Sequence, residues 1–323
     1  MAACAQALDA DGFALLTVDE AYALRDLGIS RPILLLEGFF HASDLEHVRA
    51  TASTPVIHHE AQIHMLESIA LPAPRQVFLK IDTGMHRLGF LPEQALAAWQ
   101  RLSRIPGLKD VVLMTHYACA DEEGGALEAV RRIETLRLSH PELAALPTSY
   151  ANSAAVTAPV AFGAKFAPAI GDWIRPGLML YGASPVGGYS AASLGLHPVM
   201  RLTSEIMAVR AVPAGETIGY GASFRCQQAM RVGVVACGYA DGYPRHAPSG
   251  TPVMVAGRRT QVLGRVSMDM LCVDLSQLPD ADVGTAVELF GPGLPVDEIA
   301  ACAGTIPYEI LTAVARRVPR LIA

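Results

Sequence analysis

The sequence predicts an α/β chain: a (β/α)8-type barrel with its first strand missing, followed by a mostly β C-terminal domain. Three observations carry this. Up to about residue 190, short aliphatic runs alternate with segments whose apolar residues recur at three- and four-residue spacing. From about residue 197 the alternation gives way to one strand after another with turn residues between them. Between the two regimes, "PVGGYSAASLG" at 185–195 is rich in small residues and reads as a linker. The expected domains are therefore 1–196 and 197–323.

In the first domain the strand candidates are "GFALLTV", "PILLLEG", "TPVIHH", "QVFLKID", "VVLMTHY", "TSYANS" and "WIRPGLMLYG". Helical spacing predicts helices over 19–28, 43–51, 60–69, 93–104 and 125–140. A βα series of this kind makes a parallel sheet, and seven runs are one fewer than a closed eight-stranded barrel needs. The chain also opens on "AACAQAL", a helical pattern that in such a series should follow a strand. In the second domain the strand candidates are "VMRLTSEIMAVRAV", "RVGVVACGYADGYP", "PVMVAGRRTQVLGRVSMDMLCVDL" and "AVELFG", with helices expected only over 296–303 and 308–316.

Composition narrows the function classes. Half of the 323 residues are apolar, enough for a substantial core. The net charge of −6 is spread without long runs of one sign, which offers no basic stripe for nucleic acid and no polybasic or lipidation signal for a membrane. A small ligand fits better. No apolar run is long enough to span a bilayer, and the N-terminus lacks a signal-peptide pattern, so a cytoplasmic location is expected. Six scattered cysteines without a CxxC pair indicate neither a disulfide framework nor a zinc site, and no metal is expected.

Polar residues gather at the carboxyl ends of the predicted strands, the end at which barrel enzymes place their active sites. Lys80 and Asp82 end "QVFLKID", His116 ends "VVLMTHY", Asn152 and Ser153 end "TSYANS", and Arg175 lies in the last strand region. Lysine is scarce here (only Lys80, Lys109 and Lys165) and costly to bury unless it is paired, modified or catalytic. Ser153 and the backbone amides around Gly177 follow the last two strands, where such barrels often bind phosphate. A phosphorylated ligand across the mouth is the expectation.

The ordered segments "LKIDTGMHRLG", "THYACAD", "YANSAA", "RPGLMLYG", "GYGASF", "GYADGYPR", "GRVSMDM" and "YEILTAVARRVPR" closely resemble those of the pyridoxal-phosphate-dependent alanine racemases, over nearly the whole chain. The resemblance implies a fold-type-III barrel followed by a β domain, pyridoxal 5'-phosphate as cofactor, alanine as substrate, and a head-to-tail homodimer whose sites combine both chains. It implies that Tyr220 is one of two catalytic bases, reaching the substrate from the partner chain. Two bases on opposite faces are needed because one returns the proton mainly to the side it left. Arg175 would face the pyridine nitrogen; a guanidinium keeps its protons, so the ring nitrogen stays unprotonated. His116 would sit against the ring, with Ser153, Gly177, Leu178 and Tyr308 near the phosphate. Arg87 would lie near the phenolic oxygen and the substrate carboxylate, and Met268 would meet that carboxylate through its backbone N–H. Asp121, Tyr239, Arg245, Arg265, Asp269 and Ile306 resemble a substrate access corridor.

In this family the lysine matching Lys80 is often carbamylated and holds the arginine matching Arg87. Pairing of Lys80 with a neighbour such as Asp82 is the alternative. The Schiff-base lysine should end the first barrel strand, in a segment resembling Val-Lys-Ala-Asn-Ala-Tyr-Gly-His-Gly, and no such segment occurs in the 323 residues. Two other readings stay open: another fold-type-III racemase or decarboxylase, and a protein that binds pyridoxal phosphate or an amino acid without turnover.

Overall fold

The computed structural model describes residues 9–68 and 72–322. The "AACAQAL" helix expected at the start lies outside them. The chain divides between Pro176 and Gly177 into two compact units.

In the first unit seven strands run parallel in sequence order: β1 (Phe13–Leu15), β2 (Ile33–Leu35), β3 (Ser53–Ile57), β4 (Gln76–Lys80), β5 (Asp110–Met114), β6 (Thr148–Asn152) and β7 (Trp173–Arg175). They form a nearly closed barrel in which β1 and β7 are the sheet edges. The helices between them are α1 (Val18–Asp26), α2 (Asp44–Ala50), α3 (Glu60–Ser68), α4 (Ala95–Leu102), α5 (Leu127–Ser139), α6 (Pro141–Ala144) and α7 (Ser153–Phe162). Local chemistry sets several of these ends. Thr17 Oγ1 accepts from the Glu20 N–H at 3.3 Å while Glu20 Oε2 accepts from the Thr17 N–H at 3.1 Å, a reciprocal cap that starts α1.

Strand alternation sorts the side chains into two layers. Ile57, Leu79, Leu113 and Ala151 pack outward with Ile63, Leu102 and Ile133 of the helices. Val56, Phe78, Val112 and Met114 form a separate cluster inside the barrel. Lys80 is two residues beyond Phe78 and pairs in register with Met114, so it continues the inner layer to the carboxyl end of the sheet.

Two elements differ from expectation. Helix α7 carries no predicted periodicity because "SAAVTAPVAF" is apolar or small all round and has no polar face to define a stripe. Its start is nonetheless fixed, since Asn152 Oδ1 accepts from the Ala155 N–H at 3.0 Å. The run "WIRPGLMLYG" is strand only at Trp173–Arg175; Pro176 has no N–H to donate, and Leu178–Tyr181 coils into a 3-10 turn.

The second unit is built on a closed six-stranded antiparallel barrel. Its strands are β8 (Leu202–Val212), β11 (Met230–Val235), β12 (Pro252–Val255), β13 (Arg258–Leu263), β14 (Leu271–Asp274) and β15 (Ala286–Phe290), in the order β11-β14-β13-β12-β15-β8. A short ribbon of β9 (Thr217–Ile218) and β10 (Phe224–Arg225) projects from it, followed at the C-terminal end by α8 (Val296–Ala303) and α9 (Pro307–Ala313). The barrel encloses Val253, Val255, Val262, Val273, Val287 and Leu289. Leu178 and Ala183 join this core, and the Ser184 N–H donates to Asp297 Oδ1 at 2.8 Å, so the stretch just before the expected linker packs with the second unit. Among the described residues no helix is long and apolar enough to cross a membrane.

Candidate active site

At the carboxyl end of the parallel sheet a small cleft is lined by Lys80, Ile81, Asp82, Thr83, Met85, Arg87, Leu88 and His116. The loop after β4 shapes it. The Asp82 N–H donates to Phe90 O at 2.8 Å and the Phe90 N–H returns to Lys80 O at 2.9 Å, so residues 82–89 leave the strand and come straight back. Gly89 closes this excursion at φ +125°, where a Cβ would stand 2.8 Å from the Asp82 nitrogen.

Asp82 does not pair with Lys80. Its Oδ1 accepts from the N–H groups of Gly84 and His86 at 2.9 and 3.0 Å, and its Oδ2 meets His86 Nδ1 at 3.1 Å. Those bonds hold its carboxyl below the usual range, against a desolvation that acts the other way. Lys80 is only 7% exposed, and its ammonium makes no hydrogen bond or ion pair among the described residues. Burial first, and then the Arg87 and Arg175 charges, push its ammonium down to about 8. Arg87 lines the same cleft and likewise has no hydrogen-bonding partner among the described residues.

Arg175, at the end of β7, is turned into the sheet. One Nη donates to Ser149 Oγ, and the other donates to Thr115 O at 2.7 Å and Tyr150 O at 3.2 Å. All three acceptors are uncharged, and burial brings the guanidinium down to about 10, so it stays a cation at neutral pH. His116, half-buried, is pushed down to about 4 by burial and then by Arg175, Lys80 and Arg87. It is therefore a neutral imidazole at physiological pH, with Nε2 3.5 Å from Asn152 Nδ2. Ser153 is buried as the first residue of α7, directly after its Asn152 cap, and Asp121 is exposed on the loop after β5.

The first unit thus gathers Lys80, Arg87, His116 and Arg175 into one electropositive group whose nearest carboxylate is committed to its own turn. Positive charge of this kind, buried at Lys80 and Arg175 and exposed at Arg87, suits an anionic ligand: a phosphate, a phenolate or a carboxylate. The donor set fits pyridoxal phosphate.

The remaining predicted residues lie in the second unit. Tyr220, 69% exposed, stands on a 3-10 turn between β9 and β10, beside the Arg265 guanidinium that a Cβ on Gly221 would touch at 3.2 Å. Tyr239 lies under the Arg245 guanidinium, 5.9 Å from ring centroid to Cζ. The Tyr239 N–H donates to Ser267 O at 3.1 Å and the Ala240 N–H to Met268 O at 2.9 Å, which brings "GYADGYPR" and "GRVSMDM" together. Asp269 is paired with Arg317 at 2.7 Å. Ile306 and Tyr308 are exposed at the start of α9, and Gly177 precedes the 3-10 turn at the head of the unit, which Leu178 opens. Sequence reasoning missed Ser149 and Thr115, which orient Arg175, and Arg317, which stands inside the quoted "ARRVPR" yet drew no role.

Comparison with known proteins agrees over the chain's length. Residues 1–185 match the family "Alanine racemase, N-terminal domain", and residues 199–322 match "Alanine racemase, C-terminal domain". An alanine racemase of Thiobacillus denitrificans is 52% identical over 305 residues, which are 94% of this chain and 80% of that protein. A catabolic alanine racemase of Salmonella typhimurium is 48% identical, with 96% of this chain and 84% of the relative covered. The crystal structure of biosynthetic alanine racemase from Pseudomonas aeruginosa superposes with a TM-score of 0.89 at 46% identity, over 97% of this chain and 85% of that one.

Proposed function

The chain belongs to the alanine racemase family, and from that membership we propose that it binds pyridoxal 5'-phosphate and interconverts L- and D-alanine as a head-to-tail homodimer in the cytoplasm. The observation that carries the reading is the cluster of Lys80, Arg87 and Arg175 around a neutral His116, positive and without a carboxylate of its own. Its product would supply D-alanine for peptidoglycan or feed alanine catabolism; relatives named for both roles match the chain comparably well.

In this reading the cofactor supplies an electron sink for the charge left when the α-proton departs. The chain's own residues do the rest. Arg175, kept protonated and fixed by Ser149, Thr115 and Tyr150, would meet the cofactor's ring nitrogen as a donor that keeps its own proton. His116 offers a neutral ring face for stacking. By resemblance to the family, Ser153, Gly177, Leu178 and Tyr308 would each serve the phosphate, and the Met268 N–H and Arg87 the substrate carboxylate. Asp121, Tyr239, Arg245, Arg265, Asp269 and Ile306 line the approach and favour small amino acids. Tyr220 takes or returns the α-proton on one face of the α-carbon. Lys80, once carbamylated, becomes an anion able to accept from the Arg87 guanidinium and hold it in place.

No lysine among the 323 residues is assigned as the covalent anchor. Lys80, by resemblance to the family, would hold Arg87 once carbamylated, Lys109 precedes β5, and Lys165 lies in a 3-10 turn over the Phe166 ring. The 323 residues therefore account for the cofactor's noncovalent contacts and for one of the two bases, and the proposed racemisation needs a Schiff-base lysine as the other. Two measurements test the reading. Borohydride reduction of the chain with pyridoxal phosphate, followed by peptide mass spectrometry, should give no stoichiometric adduct on Lys80; such an adduct would reassign that residue. In the lysine-bearing protein, Tyr220→Phe should slow α-proton exchange for one enantiomer far more than it weakens binding. Unchanged exchange from both L- and D-alanine would remove Tyr220 from the chemistry.

A further inference from the structure

Arg317 has no part in the reading above, yet it ties together the two turns that carry Tyr239 and Met268. Its Nε donates to Asp241 Oδ1 at 2.8 Å and its Nη2 to Asp269 Oδ1 at 2.7 Å. Asp241 is itself a structural node: its Oδ2 accepts from the Gly238 N–H at 2.9 Å, and its carbonyl accepts from the Ala315 N–H at 3.0 Å. One guanidinium therefore joins the turn at 238–242, the turn at 267–270 and the chain that leaves α9.

The two turns touch with little freedom. Gly238 is packed so closely that a Cβ there would stand 2.3 Å from Met268 O and 2.4 Å from Ser267 O. The Ala240 N–H occupies the Met268 carbonyl, whereas the Met268 N–H donates to no group among the described residues. The Met268 N–H shares a peptide plane with the Ser267 carbonyl, which the Tyr239 N–H occupies at 3.1 Å, so a bridge that keeps the two turns together holds that N–H in one direction. The planar fork of arginine suits this task, because two of its donors point at fixed angles to two separate carboxylates, which a lysine ammonium cannot reproduce. Exposed ion pairs contribute little to global stability, so the geometry they impose is the larger consequence.

We propose that Arg317 is a positioning residue: by bridging Asp241 and Asp269 it fixes the Met268 N–H in the orientation that receives a ligand carboxylate. The proposal rests on the reading that Met268 meets the substrate there.

Propionate, a carboxylate without an amine, serves as the probe. It is titrated into the wild-type, Arg317→Met and Arg317→Lys chains while the Met268 amide is followed by NMR, and hydrogen exchange is measured at Tyr239 and Ala240. In Arg317→Met, exchange at those two amides should rise about tenfold and propionate affinity should fall about fivefold, with the exchange of β8 and β11 unchanged. Arg317→Lys should recover part of both losses. Asp269→Asn, which keeps the side-chain shape and weakens one arm of the bridge, gives the same local signature should Arg317→Met not fold. Unchanged exchange at Tyr239 and Ala240 in the variants overturns the clamp. Accelerated exchange spread across the whole β barrel, with no recovery in Arg317→Lys, marks a purely structural role and overturns it as well. If the wild-type Met268 amide ignores propionate while the exchange effects appear, the clamp stands without its ligand, and the carboxylate role given to Met268 under the proposed function is the part that fails.

Discussion

Replacing Lys80 with methionine should stabilise the unliganded chain at neutral pH. The side chain is 7% exposed, and its ammonium is pushed from 10.5 down to about 8. Above pH 10.5 the amine is neutral whether the chain is folded or unfolded. Between there and about pH 8 the unfolded chain keeps a proton that the folded chain has released, and below about pH 8 both carry it. The penalty is thus complete on the acid side of this window and disappears as pH rises through it. Its full size is about 3 kcal/mol, and it shrinks to about 1 kcal/mol at pH 10. Methionine keeps the packing of the stem and removes the charge, so Lys80→Met should raise the melting temperature of the parallel-barrel unit by about 6–12 °C at pH 7. The gain should be far smaller at pH 10. Calorimetry in carbon dioxide-free buffer measures both values. In bicarbonate the wild type should close the gap, with a mass gain of one carbon dioxide per chain, while the variant stays unchanged. A Lys80→Met chain that melts no higher than wild type at pH 7, or a gain that ignores pH, would refute the argument that this ammonium is buried without compensation.

Three further outcomes follow from the same geometry. The His116 imidazole should titrate near pH 4 by NMR, and Arg175→Met should move the midpoint upward by removing the nearest positive charge; a midpoint above 6 in the wild type would show that the cleft is wetter than its lining suggests. Gly238→Ala should cost the β domain about 1–3 kcal/mol in urea unfolding, since the new methyl would meet two backbone oxygens that cannot swing aside; an unchanged midpoint would mean that the two turns part easily. Ile174→Lys on the edge strand β7, where the isoleucine is 46% exposed, should reduce self-association at micromolar concentration in sedimentation runs without lowering the melting temperature, and undiminished association would place the sticky surface elsewhere.

What was legible in the sequence depended on whether a signal was local. The seven parallel strands announced themselves as aliphatic runs, and Lys80 and His116 stood out because a charged or titratable residue ends each run. Helix α7 was illegible because its periodicity is erased by small apolar residues, although its asparagine cap sat in plain view. The end of β7 was misread for the opposite reason: "GLMLYG" continues the apolar run, but Pro176 cannot extend the ladder. The partners of Arg175 were beyond reach. Ser149 lies in β6 and Thr115 directly follows β5, and only the sheet's register brings them to the guanidinium.

The pairing of Lys80 turns on a competition that sequence spacing cannot decide by itself. Asp82 stands two residues from the lysine, and on a flat strand both would project from the same face. The chain does not remain a strand there. The Gly84 and His86 amides present two donors to one carboxylate oxygen at 2.9 and 3.0 Å, and a bond to a backbone donor already held in place by a tight turn orders little beyond the aspartate itself. An ion pair to Lys80 would instead require the long lysine stem to bend away from the barrel interior, where Phe78 and Met114 pack below it, at the expense of rotamer freedom and buried apolar surface. The local turn wins the aspartate. Its capture leaves Lys80 and Arg87 as neighbouring cations, which raises the affinity of the cleft for any anion; burial first, and then those charges, depress the lysine enough that about a tenth of it is the neutral amine at pH 7. The same turn that denies Lys80 a carboxylate therefore gives it the nucleophilic form that carbamylation requires.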